Sequence, residues 1–253
     1  ARPGHTYRAR VRHKDANGRW SYWSEPLQFV PSAPDVTVYQ QSLVISEFNY
    51  DPAPPGPGEI GFVASDFEWI ELMNISALPL DATGLRFTKG IDFDFPDSYT
   101  IPPGGFVLIV KNLAAFHARY GHAYDAIIAS EFLDGNLNNS GEELKLSFGA
   151  GTPVIEFTYS PAAPWPDVDG TGRTVVLRNT SEIPDYAEAA SWRTSVAIGG
   201  SPGANDGITY WEWADDNAGV ANHEDDPDDD GLNNLLEYAL ASDPTVPSAN
   251  ALP

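Results

Sequence analysis

Three absences narrow the classes of protein that this sequence can encode. None of its 253 residues is cysteine, which excludes disulfide bonds, thiol catalysis and cysteine-ligated zinc. No apolar run approaches the roughly 20 residues that a membrane-spanning helix needs, so we expect no membrane insertion. No lysine or arginine follows Arg193, although acidic residues remain frequent up to Asp243.

The resulting charge balance is strongly acidic. The 14 basic residues face 36 acidic ones, and the formal net charge is −22 at pH 7. Because a surface of this sign repels nucleic acid phosphates, we expect no nucleic acid partner. Divalent cations are the more natural partners of the acidic C-terminal segment.

Turn-forming and apolar residues, by contrast, are abundant. Glycine and proline each occur 22 times, and hydrophobic residues make up 42% of the chain. This composition supports a buried core and favours many short strands over long helices, which indicates a mainly β fold built as an antiparallel sandwich. The hydrophobic pattern predicts strands at residues 43–48, 67–72, 85–88, 106–110, 143–148, 154–159 and 174–178.

Composition divides the chain into three segments. Residues 1–34 predict a β-hairpin followed by a proline-rich linker, and residues 38–206 predict the sandwich. A short helix that Asn112 caps and Gly121 ends interrupts the strands of the sandwich. Residues 207–253 predict a helical end around an acidic loop. Since two strands alone are marginal in water, we expect the hairpin to belong to a domain that continues upstream in a longer protein.

The hairpin segment carries a tryptophan motif. Residues 20–24 read Trp-Ser-Tyr-Trp-Ser, and three arginines alternate along the opposing strand. Interleaved guanidinium groups and indoles would form a structural ladder of cation–π contacts; a ligand-binding aromatic patch is the alternative. The segment resembles the last two strands of fibronectin type III domains that carry a Trp-Ser-x-Trp-Ser motif. The residues of the predicted ladder are Arg8, Arg10, Arg12, Trp20 and Trp23.

The central segment carries a series of short motifs. They are LVISEF at 43–48, EWIELMN at 68–74, IPPGG at 101–105, NSGEEL at 139–144, WP at 165–166 with DG at 169–170, and GGSPG at 199–203. In these motifs the segment resembles the lamin tail domain in its bacterial extracellular form. That resemblance implies an immunoglobulin-like sandwich that acts as an accessory module beside enzymes or adhesins, with no catalytic residues of its own.

The acidic loop holds the strongest chemical signal in the sequence. Its residues match the D-x-D-x-D-G-x5-E calcium pattern in every specified position. Ca²⁺ takes about six to eight oxygen ligands, and short carboxylates at alternate positions of a tight turn can converge on one ion. A solvated acidic tail is the alternative. The predicted ligands are Asp226, Asp228, Asp230, the carbonyl of Leu232, Asn234 and Glu237.

One position departs from a regular EF-hand. Asn233 stands where those loops carry an aliphatic residue, and the sequence has a single such loop. The segment is therefore similar to the single calcium loops of dockerins and of bacterial thrombospondin type 3-like repeats, which implies an extracellular protein.

Four other groups of residues could suggest catalysis or ligand binding, but their sequence context fits those functions less well. Glu68 and Glu71 could form an acid–base pair, but residues three apart on a strand point to opposite faces. Residues 56–61 match G-x-G-x-x-G by letter, yet they follow a proline loop and open no helix. His117 and His122 match no common metal spacing. Surface tryptophans such as Trp165, Trp211 and Trp213 could stack on sugars, although most tryptophans lie in cores.

These observations predict a protein that is not an enzyme. We expect a structural, adhesive or accessory module of a larger multi-domain bacterial protein, extracellular or at the cell surface, with Ca²⁺ stabilising its C-terminal end. Its expected partners are neighbouring domains of the same polypeptide, and an extracellular glycan or protein. A glycan-binding module of a secreted hydrolase is the first alternative, and a calcium-dependent hydrolase is the second.

Overall fold

The computed structural model describes residues 4–217, 220 and 222–247. Parts of two predicted segments lie outside the described residues: 1–3 of the hairpin segment, and 218, 219, 221 and 248–253 of the C-terminal segment. None of the helices in the described part has the length and apolar character that crossing a bilayer requires.

The described chain is mainly β-structure with a few short helices. Its helices are α1 (Thr37–Gln40), α2 (Leu113–Tyr120), α3 (Tyr210–Asp216) and α4 (Asn234–Leu240), with 3₁₀ turns at Ala64–Phe67 and Ala189–Ser191. Its strands are β1 (Tyr7–Ala9), β2 (Leu27–Phe29), β3 (Leu43–Asn49), β4 (Trp69–Asn74), β5 (Leu80–Asp81), β6 (Leu85–Lys89), β7 (Ile91–Asp94), β8 (Thr100–Ile101), β9 (Phe106–Val110), β10 (Ile128–Glu131), β11 (Asp134–Gly135), β12 (Glu142–Phe148), β13 (Thr152–Tyr159), β14 (Val175–Leu177) and β15 (Trp192–Thr194).

Two sheets form an immunoglobulin-like sandwich. The larger sheet has the order β10-β9-β4-β3-β14-β15, and the smaller has the order β11-β7-β6-β12-β13. Neighbouring strands are antiparallel except β9 and β10, which run parallel. Two short pairs, β5-β8 and β1-β2, lie outside these sheets.

The core lies between the two sheets. Phe48 from the larger sheet and Phe157 from the smaller are both buried and belong to one hydrophobic cluster. Trp192 contacts both rings, with its centroid 5.4 Å from each. Alternation explains which side chains enter: Leu144 and Leu146 of β12 are buried, whereas their neighbours Glu143 and Lys145 are only partly buried.

The seven predicted strands are all present, with ends that differ by at most two residues. The hydrophobic pattern did not predict six further strands of the sandwich region. Most of these strands are too short to show a clear alternation. β7 is the exception, because Ile91, Phe93 and Phe95 are buried and alternate with exposed Asp92 and Asp94. This alternation with a period of two is visible in the sequence and could have predicted β7.

The outer face of the larger sheet is covered by α2. Phe116 of this helix packs with Trp69, Leu108 and Val110 in a second cluster. The helix begins as predicted, with Asn112 accepting a hydrogen bond from the Ala115 amide at 3.0 Å. It ends at Gly121, whose φ of +78° only glycine adopts readily.

The N-terminal hairpin is largely exposed. The Arg12 guanidinium carbon lies 4.3 Å from the Trp20 ring centroid and 4.6 Å from that of Trp23. The other two arginines of the predicted ladder make different contacts: Arg10 donates to the carbonyl of Ser24, and Arg8 pairs with Gln28 in the strand register. Lys14, which the pattern did not single out, lies 5.6 Å from the Trp20 centroid.

The C-terminal helices contradict one expectation from periodicity. In the sequence, one helical face is marked by Leu232, Leu235, Leu236, Ala239 and Leu240, which indicates a buried stripe. In α4, however, Leu235, Leu236 and Leu240 are exposed. The face that is buried instead carries Asn234 and Glu237. The reason lies in the preceding loop, toward which these two polar side chains turn.

Candidate metal centre

The acidic loop folds into a tight turn around its own carboxylates. Asp229 and Gly231 have φ values of +60° and +92°, a left-handed backbone that aspartate tolerates and glycine adopts freely. Asp226 accepts hydrogen bonds from the amides of Asp230 and Gly231, at 3.2 and 2.9 Å. These bonds curl residues 226–231 so that alternate side chains point inward.

Three carboxylates converge inside this turn. Asp226, Asp228 and Asp230 each offer an oxygen, and these oxygens lie within 4.8 Å of one another. At this separation like charges repel unless a cation or protons intervene. Burial, and the neighbouring Asp230 and Asp226 carboxylates, raise the pKa of Asp228.

Two further oxygens of the predicted ligand set are buried without a partner. Asn234 and Glu237 are fully buried, and neither Asn234 Oδ1 nor Glu237 Oε2 has a hydrogen-bond partner among the described residues. Asp228 Oδ2 is likewise buried and has no hydrogen-bond partner among the described residues. Buried polar atoms are nearly always satisfied in folded proteins, so three unsatisfied oxygens at one loop need an explanation.

The electrostatics of Glu237 agree with this geometry. Burial is the largest cause of its raised pKa, and the charges of Asp228 and Asp230 raise the pKa further. Its side chain therefore faces the same interior as the aspartates, in the first turn of α4. Asn233, the position that departs from EF-hands, caps α4 by accepting from the Leu236 amide at 3.0 Å.

The donor set consists of oxygen atoms alone. Carboxylates and an amide carbonyl are hard ligands that suit Ca²⁺ and fit poorly with metals that prefer imidazole or thiolate. Leu232 follows the turn with a buried side chain and donates its amide to Asp230 at 2.8 Å. The residues present thus fit a calcium ion in type, in spacing and in their unsatisfied atoms.

The helix that follows the loop packs against α3 through aromatic side chains. Tyr238, next to Glu237, packs its ring 5.8 Å from the centroid of Trp213 in α3 and donates its hydroxyl to the carbonyl of Ile208. Just before this segment, Asp206 accepts from Arg193 Nη1 at 2.6 Å, and both side chains are buried. The first two contacts join α4 to α3 and to Ile208, and the ion pair holds the nearby Asp206 to β15.

A second group of buried carboxylates lies on β3 and β4 of the larger sheet. Glu47 and Glu71 are paired across β3 and β4 and are both buried. Ser201 donates its amide and hydroxyl to Glu47, and Gly203 donates its amide to Glu71 at 2.5 Å. These carboxylates anchor the segment 199–203 to the sheet.

This anchoring argues against a catalytic role for the glutamates. The cavity beside Glu47 and Glu71 has a volume of only about 60 Å³, too small for a substrate. Glu68 accepts from the amide of Leu137 at 2.7 Å and lies 3.8 Å from Lys111, apart from the other two. Within the described residues, the three glutamates are bonded to protein groups rather than gathered in an open cleft.

The buried glutamates predict that stability falls as the pH rises from about 5 to about 8. Burial raises the pKa of Glu71 from 4.5 to about 8, and those of Glu47 and Glu68 to about 7. The folded state therefore holds protons that the unfolded state has released, and this stabilisation disappears as the folded pKa values are passed.

Glu71→Gln isolates one of these contributions, because glutamine resembles the protonated acid. We expect its stability at fixed calcium to change less between pH 5 and 8 than that of the wild type, by on the order of 3 kcal/mol in unfolding free energy. Chemical denaturation at the two pH values measures the difference. Identical pH profiles for the two proteins would contradict the assignment.

Aromatic side chains form no flat exposed row on the described part of the sandwich. Trp69 and Trp192 are buried, and Trp165 is half-buried with its ring 6.1 Å from that of Trp192. Trp211 on α3 is 66% exposed, but its neighbour Trp213 is buried. A sugar-stacking platform, the feature that would favour the glycan-binding alternative, is not formed by these residues.

One cluster was missed by the sequence pattern. His117 and His122, whose spacing matched no metal motif, lie with their ring centroids 4.0 Å apart and share contacts with Asp125. The turn at Gly121 brings them together. A helix end followed by a glycine turn was the only signal that could have suggested it.

Comparison with known proteins identifies one family. The profile of the Lamin Tail Domain matches residues 38–183, which is more than half of the chain. No curated protein matches the sequence. The matched range contains β3 to β14, whereas β15 and the carboxylate-anchored segment 199–203 follow it.

Proposed function

Because the chain belongs to the lamin tail domain family, whose members are immunoglobulin-like and non-enzymatic, we propose that it is a structural or accessory module of a larger secreted bacterial protein. Its C-terminal end binds Ca²⁺ and becomes ordered by doing so. Asp226, Asp228, Asp230, Asn234 and Glu237 supply side-chain oxygens in this proposal, and Leu232 supplies its carbonyl.

A single observation carries the calcium proposal. Glu237 Oε2, Asn234 Oδ1 and Asp228 Oδ2 are buried beside the convergent aspartates with no hydrogen-bond partner in the described part of the chain. A solvated acidic tail would expose these atoms to water, where they would be satisfied. A bound cation satisfies all three and neutralises the repulsion among the carboxylates.

The position of the loop suggests what binding accomplishes. Glu237 lies in the first turn of α4 and adjoins Tyr238, which packs on α3 and bonds to Ile208. Because the free energy of calcium binding also stabilises the folded form of its site, calcium stabilises this helical end. The module would then hold whatever follows it at a defined position.

The affinity expected of such a loop is compatible with an extracellular protein. A lone loop open to solvent binds calcium with a dissociation constant on the order of 10⁻⁴ to 10⁻³ M, as in extracellular modules. Such a site fills only where calcium is millimolar. A site of this affinity suits the secreted setting that we propose.

Calcium titration of Glu237→Gln tests the proposal. Loss of one carboxylate oxygen from a bidentate ligand should weaken binding at least about tenfold, which corresponds to about 1.4 kcal/mol. Calorimetry at millimolar calcium measures this directly, and circular dichroism should show the helicity of the wild type rise with the same midpoint.

Asp229→Asn provides the matched control. Asp229 carries the same charge and lies between liganding positions, and asparagine tolerates its positive φ. Its calcium affinity should fall by much less than that of Glu237→Gln. Absence of binding by the wild type, or equal losses in both variants, would contradict the ligand assignment.

A further inference from the structure

A second group of metal-ligating side chains lies far along the chain from the acidic loop. His117 is in the last turns of α2, His122 follows the turn at Gly121, and Asp125 follows three residues later. One ligand atom from each lies within 4.8 Å of the others. The backbone between them is short, so the arrangement is local and needs no distant partner.

The carboxylate of Asp125 already connects the two rings. Asp125 Oδ1 lies 2.7 Å from His117 Nε2, and Asp125 Oδ2 lies 3.3 Å from His122 Nδ1. The only ion pairs of Asp125 in the described part of the chain are with these two imidazoles. No arginine or lysine there competes for its charge.

From this geometry we infer that His117, His122 and Asp125 bind a transition-metal ion of the zinc class. Imidazole nitrogen suits Zn²⁺, Ni²⁺ and Cu²⁺, whereas Ca²⁺ requires oxygen ligands. The site therefore selects a different metal from the acidic loop. The strongly negative protein charge of −22 favours cation binding at either place.

The coordination geometry is within reach of the side chains. Ligand atoms of a tetrahedral Zn²⁺ site lie about 3.3 Å apart, given metal–ligand bonds of about 2.0–2.1 Å. The His122 side chain is 74% exposed and can rotate inward at little cost, while His117 at 20% is held by the helix. Small side-chain movements convert the present hydrogen bonds into metal bonds.

The cluster also leaves room for a fourth ligand. A surface cavity of about 300 Å³ is lined by His117 and Asp125, together with Ile128 and Ser130 of β10. Two imidazoles and one carboxylate occupy three positions of a tetrahedral ion. The fourth position would open toward this cavity and accept water or a small ligand.

The test is a zinc titration of the full chain in millimolar calcium, which keeps the acidic loop supplied with its own ion. His122→Ala and Asp125→Asn should each weaken zinc binding at least about tenfold. Removing a residue that only orients a metal ligand already weakens binding by about 10- to 100-fold, so removing a ligand should cost at least the lower figure. His13→Ala in the hairpin is the control and should bind zinc as the wild type does. Because His122 is exposed, its replacement should leave the fold unchanged.

Cobalt(II) supplies a readout that depends on geometry. The wild type should develop the visible absorption of a low-symmetry nitrogen and oxygen site, and His122→Ala should abolish it, whereas Glu237→Gln should leave it intact. Zinc affinity that is equal in His122→Ala and His13→Ala would overturn the inference, and so would cobalt bands that persist without His122. Neither result would bear on calcium binding by the acidic loop.

Discussion

A protein that ends at residue 183, where the family match ends, should fail to fold cooperatively, whereas one that comprises residues 36–206 should unfold in a single transition. The shorter protein lacks β15, the sixth strand of the larger sheet, and with it the buried ring of Trp192. Removing a buried tryptophan side chain costs about 3–5 kcal/mol, against a total stability of about 5–15 kcal/mol for a typical domain.

The truncation also strips the buried glutamates of their donors. Ser201 supplies both its amide and its hydroxyl to Glu47, and Gly203 supplies its amide to Glu71. Leaving a buried carboxylate without its hydrogen bonds costs about 1–3 kcal/mol or more for each group. Together with the loss of Trp192 these costs reach about 5–11 kcal/mol, which is comparable with the whole stability of a typical domain.

Thermal unfolding followed by circular dichroism distinguishes the two proteins. The 36–206 protein should show a β-type spectrum and a steep transition, and the 36–183 protein a broad, non-cooperative one. If both unfold cooperatively at similar temperatures, β15 and the segment 199–203 are not part of the folded unit.

Gly200→Ala should be among the most destabilising single substitutions in the chain. Gly200 has a φ of +78°, and a Cβ there would collide with Glu47 Oε1 and lie 2.7 Å from Thr174 Cγ2. The left-handed backbone costs about 1–2 kcal/mol for a residue with a side chain, and overpacking adds about 1–3 kcal/mol. We expect a loss of roughly 3 kcal/mol or more in the free energy of unfolding, measured by chemical denaturation.

Gly104→Ala separates backbone strain from the steric clash. Gly104 has a φ of +65°, but a Cβ added there would have no atom of the described chain within 4 Å beyond its immediate neighbours. This variant should lose only the strain, about 1–2 kcal/mol. Equal losses for the two variants would show that segment 199–203 does not pack on Glu47 as described.

The sandwich could be predicted from the sequence because its signals are local. Alternation in β12 and β13 reflects a sheet with one buried face, and Asn112 and Gly121 mark both ends of α2 by their own hydrogen bonds and backbone angles. The calcium pattern is also local, because hydrogen bonds within six residues bring the aspartates of the loop together.

Other features depend on contacts that sequence periodicity does not encode. The leucines of α4 suggested a buried face, but Asn234 and Glu237 turn the opposite side of the helix toward the acidic loop. The partners of Glu47 and Glu71 come from about 130 to 150 residues further along the chain, a separation at which no pattern predicts pairing.

Hydrogen exchange of the full chain with and without calcium tests the central claim most directly. Calcium should slow exchange of the backbone amides in residues 222–242, including those of Asp230, Gly231 and Asn234, and a chelator should reverse the effect. Amides of β3 and β4 should exchange at the same slow rate in both conditions. Exchange at residues 222–242 that is indifferent to calcium would contradict the account, because the buried, unsatisfied oxygens would then have no ion to satisfy them.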